Sequence, residues 1–291
     1  MMPSSFPVAR TLLYVPGDRP DRIAKALTSG ADVVSIDLED AVAPSHKAVA
    51  RAGLADVFAE WHGIPAVQVR INGRGSDWHE EDIAAVAELP RLVAVRIPKA
   101  TTADDVRAIT QSLPGREVHA LIESALGAEN AFEIARSGVT SVGLGEADLR
   151  SQLGLPAGPD GDPGLDWPRT RIVYAAAAAG LPPPLMSVYP HVRDLDGLRA
   201  SCAAGRRIGF FGRAAIHPGQ LATIQEAFTP SAADVDRARE TLKLLAGAES
   251  DRTGTATLSD GSFLDVAMLR AALRTVAIAE LSGTERPQVV D

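Results

Sequence analysis

Eight short apolar runs, each closing on polar residues, alternate along this chain with Ala-rich amphipathic stretches, and no other feature narrows the possible folds as far. The runs are TLLYVP from Thr11, VVSIDLED from Val33, AVQVRIN from Ala66, LVAVRIPKA from Leu92, EVHALIES from Glu117, TSVGLGEADL from Thr140, LMSVYP from Leu185 and RIGFFGRAAIHP from Arg207. Between them lie helical patterns: DRIAKALTSG, DIAAVAEL, ADDVRAITQSL, AENAFEIARSG, PRTRIVYAAAAAG and DLDGLRASCAAG, several ending on a glycine suited to a helix C-cap. Near-continuous apolar strands that alternate with helices predict a parallel sheet covered by helices. A closed (β/α)8 TIM barrel fits better than an open doubly wound sheet. No G-x-G-x-x-G follows the first strand, and nearly every strand, rather than one crevice, ends in polar residues.

The barrel is expected over residues 10–228, as the catalytic domain. Residues 229–291 exceed what eight units need. There PSAADVDRARETLKLLAGA and SFLDVAMLRAALRTVAIAEL read as two helices around a flexible ESDRTGTATLSDG. This C-terminal helical extension is expected to act as a lid or a subunit-contact element. With 46% hydrophobic residues, the 291-residue chain has ample material for a core. Its 29 Lys and Arg against 37 Asp and Glu give a net charge of −8, which offers no global attraction to nucleic acid or to an anionic membrane. The longest apolar run near the N-terminus, Leu12–Val15, is too short for a signal peptide or a span, so the sequence reads as cytoplasmic. A single cysteine, Cys202, excludes an intrachain disulfide and multi-cysteine metal sites, and reads as a buried, inert thiol.

The C-terminal ends of barrel strands share one mouth, so the residues ending each run are expected to meet there. They include Asp37, Glu39, Asp40, Arg70, Asn72, Lys99, Glu123, Glu146, Asp148, Tyr189, His191, Arg213 and His217. Carboxylates gathered in a partly dehydrated cavity repel unless a cation sits among them. With cysteine absent there and histidine scarce, oxygen ligation suggests Mg²⁺. Glu123 and Asp148, on adjacent strands, are the best ligand pair, the alternative being that one of them caps a helix. Arg70 offers a rigid fork that matches a substrate carboxylate, or else pairs within the barrel with Asp37 or Glu39. Lys99 is read as an ion-pair lysine in preference to a Schiff-base nucleophile. Arg19, Arg22 and Lys25 either receive the phosphates of a nucleotide-like carrier or form a solvated helix face. His46, His62, His79 and His119 lack metal-ligand spacing, and no G-x-S-x-G elbow or Walker loop is present.

RTLLYVPGDRPDRIAKALTSGADVVSIDLEDAVAPSHKAVAR, followed in order by VRIN, IPKA, LIES, GEADL, GFFGRAAIHPGQ and DGSFLD, resembles the citrate lyase β-subunit branch of the HpcH/HpaI aldolase superfamily over residues 10–280. The resemblance implies a TIM barrel, Mg²⁺, and reversible Claisen-type cleavage of a 3-hydroxy-3-carboxyacyl thioester (malyl-, citramalyl- or citryl-CoA) into an acyl-CoA and a 2-oxo acid. By that resemblance Glu123 and Asp148 hold the metal, Glu123 and Arg70 meet the substrate, and Arg70 also takes part in catalysis. Tyr14, Arg19 and Lys25 lie on the coenzyme A side, and Asp265 is the general acid/base, often delivered from a neighbouring subunit of a homo-oligomer (trimer or hexamer). A small-molecule acyl-CoA is then the partner, with no nucleic acid or membrane. The alternatives are a thioesterase or malate-synthase-like enzyme on the same metal site, and an acyl-carrier-dependent subunit of a citrate lyase complex. Phe211 and Arg213 stand where the family often has an acid and a lysine, and Pro182-Pro183-Pro184 is unusual.

Overall fold

The computed structural model describes residues 9–59, 61–250, 255–257, 261, 263–265 and 268–283. The chain divides into two compact units, Met1–Phe228 and Thr229–Asp291. In the first, seven strands form one all-parallel sheet: β1 (Thr11–Pro16), β2 (Val33–Asp37), β3 (Ala66–Arg70), β4 (Ala94–Ile97), β5 (Val118–Ile122), β6 (Ser141–Leu144) and β7 (Arg213–Ala215). Their spatial order is β6-β5-β4-β3-β2-β1-β7. Helices occupy the connections, among them Pro20–Leu27, His79–Ala87, Ala103–Ser112, Asp166–Ala178 and Leu195–Ile208.

Side chains alternate across each strand, and the two faces differ in chemistry. One face carries Val34, Ile36, Val67, Val69, Val95, Ile97, Val118, Ala120, Ile122, Val142 and Leu144, all in the main apolar core with the helices. Each fully buried Val, Leu or Ile among them contributes roughly 1.5–3 kcal/mol. The other face carries Leu12, Val33 and Ala214 together with Ser35, Gln68, Arg96 and His119, all buried despite the polarity of the last four. Leu12, Val33, Gln68, Arg96, His119, Ser141 and Ala214, one from each strand, line a single cavity. Only a sheet that curls round on itself can do this. The helices end as the sequence suggests: Leu195–Ile208 stops at Gly209, whose φ of 106° is left-handed and open to glycine.

Three expectations are corrected. The sheet has seven paired strands, not eight in a closed ring. The Leu185 run contributes only an isolated parallel bridge, Met186 to Arg213, and the described ladder leaves β6 and β7 at opposite ends of the strand order. Pro182, Pro183 and Pro184, which precede it, have no N–H to donate to a ladder. A side-chain contact links the two flanks instead: the Glu146 N–H donates to Ser187 Oγ at 3.3 Å. Next, AENAFEIARSG forms parts of two short helices, Ala125–Glu129 and Ala131–Ala135, rather than one. Finally, in the second unit, part of the stretch read as flexible is strand β8 (Thr255–Thr257). It pairs antiparallel with β9 (Phe263–Asp265), a segment assigned from sequence to a helix. The β-branched Thr255 and Thr257 and the aromatic Phe263 favour the extended state. The helices of this unit, Ala232–Ser250 and Leu269–Gly283, flank the hairpin, and Leu264 packs with Leu245 in a small core.

Candidate active site

The cavity, about 400 Å³, reaches the C-terminal ends of the strands, where Tyr14, Asp37, Asp40, Arg70, Glu123 and Asp148 line it. Period-two alternation puts Asp37 at the end of β2 on the cavity side, next to Arg70 at the end of β3, its register partner. Arg70 donates from Nε to Asp37 Oδ1 at 2.7 Å and from Nη2 to Asp37 Oδ2 at 2.6 Å. Its Nη1 reaches Glu39 at 3.0 Å and Asp40 at 3.2 Å, and the Tyr14 ring lies 5.1 Å below the guanidinium. Burial alone would lower the Arg70 pKa. The hydrogen bonds and charge of Asp37 outweigh it, so the guanidinium is held firmly protonated. Of the two readings left open for Arg70, the ion pair is present. Three of its five N–H groups hydrogen-bond acids, two to Asp37 and one to Asp40, and Nη1 is also ion-paired with Glu39, which leaves an N–H on Nη2 for a substrate oxygen.

Glu123 follows β5 and is buried. Lys99 adopts a left-handed φ of 51°, uncommon for a residue with a side chain, and its N–H donates to Glu123 Oε1 at 2.7 Å. Its Nζ lies 3.0 Å from Glu39, so the ion-pair reading of Lys99 holds. Glu123 has its pKa pushed up to about 8, first by burial and then by the charges of Glu39 and Asp148, which outweigh the Lys99 N–H and the charge of Arg70. Glu123 Oε2 accepts no hydrogen bond among the described residues. It lies against Gly145, where any Cβ would overlap it. The space that glycine leaves is therefore needed by the carboxylate. Exchanging Gly145 for Ala is expected to displace Glu123 and lower kcat/KM by roughly 100-fold, since a shift of about 1 Å costs that much. Steady-state kinetics checks this, and a variant with full activity would show that Glu123 need not stay in place.

Among the described residues, no group of three or more His, Cys, Asp or Glu side chains is placed to hold a metal. Two carboxylates, Glu123 and Asp148, with the unsatisfied Oε2 of the first, nevertheless fit Mg²⁺, which commonly takes one or two protein carboxylates and fills its octahedron with water and substrate oxygens. Other sequence candidates fall elsewhere. Glu146 forms a bidentate pair with Arg169 at 2.9 and 2.6 Å and is absent from the cavity lining. Arg19 pairs with Asp21 at 3.1 Å, Lys25 is exposed, and neither lines the cavity that Tyr14 does. Asp265 lies in β9, and its side chain is outside the described residues.

His119 is buried, with Nδ1 2.7 Å from Ser141 Oγ, and burial followed by the charge of Arg96 holds its pKa well below 6.5. The folded protein therefore keeps this ring neutral where the unfolded chain begins to protonate it. Stability is expected to fall as the pH drops below about 6.5, by up to about 1.4 kcal/mol per unit from this group. Replacing His119 with Asn should flatten that slope in denaturant titrations between pH 7 and 5. An unchanged slope would assign it to other groups. Sequence reasoning missed Gly145 and Arg96. The signals were there: a glycine between strand and helix where a capping side chain is usual, and an arginine flanked by apolar residues in VAVRIP.

Comparisons with known proteins place the chain in a family. The profile of the HpcH/HpaI aldolase/citrate lyase family matches residues 10–218. The (3S)-malyl-CoA thioesterase of Cereibacter sphaeroides is 36% identical over 273 residues, covering 93% of this chain and 94% of the relative. The L-malyl-CoA/beta-methylmalyl-CoA lyase of the same organism is 32% identical over 305 residues, covering 94% and 95%. Among solved structures, CitE from Mycobacterium tuberculosis in complex with magnesium, acetoacetate and coenzyme A superposes with a TM-score of 0.77 at 32% identity, covering 94% of this chain and 98% of that one.

Proposed function

The chain belongs to the HpcH/HpaI aldolase/citrate lyase family, and from that premise we propose that it is a Mg²⁺-dependent carbon–carbon lyase acting on a 3-hydroxy-3-carboxyacyl-CoA thioester. The observation that carries this reading is the pairing, in one cavity, of a carboxylate with an unsatisfied oxygen, Glu123, and a guanidinium held in place by acids, Arg70. Glu123 and Asp148 would hold the ion. When bound, it supplies Lewis-acid polarisation of the substrate oxygens and a template for their alignment.

Arg70, with its remaining N–H, stabilises negative charge on the substrate's 3-oxygen. The hydroxyl proton leaves to water, the C2–C3 bond breaks, and its electron pair passes into the thioester enolate. The oxygen left behind becomes the carbonyl of a 2-oxo acid. Asp265 donates the proton that the enolate carbon needs, and removes it in the condensation direction. Tyr14 is assigned to the coenzyme A side of the cavity, with Arg19 and Lys25 placed further out along the carrier. Residues 229–291 are assigned the role of lid or subunit contact, in a homo-oligomer in which Asp265 serves its own cavity or a neighbour's. Among the described residues no helix is long and apolar enough to cross a membrane.

A second reading rests on the 36% identity to a malyl-CoA thioesterase: water attacks the thioester carbonyl at the same site. Mass spectrometry of products separates the two. With malyl-, citramalyl- and citryl-CoA, the lyase yields acetyl-CoA plus a 2-oxo acid (glyoxylate, pyruvate or oxaloacetate), and loses this activity in EDTA. Free CoA plus an intact hydroxy acid would overturn it in favour of the thioesterase. Products from an acyl-carrier thioester alone would make the chain a subunit of a larger complex.

A further inference from the structure

Arg96, in the middle of β4, is 6% exposed and faces into the cavity rather than the helical layer. Its Nε donates to Gln68 Oε1 at 2.9 Å, and no Asp or Glu side chain pairs with it among the described residues. The other arginine lining the cavity, Arg70, has three acids against it. A buried guanidinium without a counter-ion is costly unless something of opposite charge or strong polarity meets it. Its Nη1 lies 3.5 Å from where a Cβ on Gly143 would be, while the Glu123 carboxylate covers Gly145. Those two glycines face the same side two residues apart, roughly 7 Å along the strand direction. Neither glycine adds a side chain to the β6 side of the cavity between Glu123 and Arg96, and Leu121 of β5 lines the same stretch.

We propose that Arg96, braced by Gln68, forms a second carboxylate subsite inside the barrel, one step below the Glu123–Asp148 pair. The ligand class is a small dicarboxylic 2-oxo acid, or the acyl group that yields it: one end engages the mouth, and the distal carboxylate reaches the guanidinium. His119, the register neighbour of Arg96, is kept neutral in part by that charge and adds none that competes for the anion. The assignment rests on the lyase reading of the mouth, but its test needs no turnover.

The full-length protein with Mg²⁺ is titrated calorimetrically with freshly prepared oxaloacetate, with pyruvate, and with acetate in the presence of pyruvate. A charge-assisted hydrogen-bonded pair predicts an oxaloacetate preference over pyruvate of about 10- to 100-fold. In Arg96→Met that ratio collapses towards one, and in Arg96→Lys part of it returns. Acetate that binds alongside pyruvate in the parent protein but not in Arg96→Met would also support the subsite, filled from a free carboxylate. Equal affinity for the two 2-oxo acids, with acetate unbound, overturns the proposal. So does a preference that survives Arg96→Met. If the methionine variant fails to fold, the lysine variant decides: a ratio identical to the parent's at any salt concentration would overturn the fork geometry. Failure of the lyase reading would appear separately, as thioesters left uncleaved while these titrations still discriminate.

Discussion

Glu123→Gln is expected to lower kcat/KM by at least about 10³-fold while leaving the protein as stable as before, or more so, when Mg²⁺ is absent. The activity loss follows from removing one of the two carboxylates proposed to hold the ion, whose charge stabilisation is worth several kcal/mol. The stability gain follows from the same environment. Glu123 is buried beside Glu39 and Asp148, which is why its pKa rises to about 8, and an amide of equal shape pays no such penalty. The Lys99 N–H still finds a carbonyl oxygen to bond. Thermal melts in EDTA and in millimolar Mg²⁺ separate the two effects. The parent's Tm should rise with the ion, as it does for any ligand bound only by the folded state, and the variant's should not. Full turnover, or an undiminished Mg²⁺ shift, would remove Glu123 from the metal site.

Arg70→Met is expected to be the most damaging single change to the fold and to abolish activity with it. Asp37 and Glu39 are almost fully buried, with side-chain exposures of 1% and 6%, and Arg70 is the cation they share. Removing one partner of a buried network costs about 3–5 kcal/mol, because the remaining charges stay desolvated. For a chain of this size that is a fall in Tm on the order of 10 °C. Arg70→Lys should recover part of the stability, since a cation is again present. It should not recover the activity, since an ammonium cannot span both oxygens of Asp37 and also keep a donor for substrate. Combining Arg70→Met with Asp37→Leu removes charge from both sides and should restore some stability but no turnover. An Arg70→Lys enzyme with parental kinetics would reduce Arg70 to a structural brace.

The acids and the arginine of the mouth were legible from sequence because each closes an apolar run, and period-two alternation fixes which end residues share a face. Asp37, Arg70 and Glu123 needed no more than that to be expected together, whereas Asp148 proves to lie in the helix Glu146–Gln152 that follows β6. Which of them bind each other was not legible. Arg70 had two consistent readings, and only the approach of β2 to β3 put Asp37 within 2.6 Å of it. Glu146, two residues before Asp148, also ends a run in sequence, and only the structure shows Arg169, from a helix 23 residues on, taking both its oxygens.

The sequence by itself determined the alternation of strand and helix, the parallel sheet and the chemistry at the strand ends, because these depend on local periodicity and composition. Tertiary structure alone decided the seam, where the Leu185 segment bonds to the β7 side through Met186 and meets the β6 side through the Glu146 N–H to Ser187 Oγ. It also decided the left-handed turn at Lys99 that points an N–H at Glu123, and the glycine that gives Glu123 its space. Only there, too, does Arg96 emerge without a carboxylate partner in the barrel interior. Each of these depends on what a second strand brings across several ångströms, and no spacing along one chain encodes that distance.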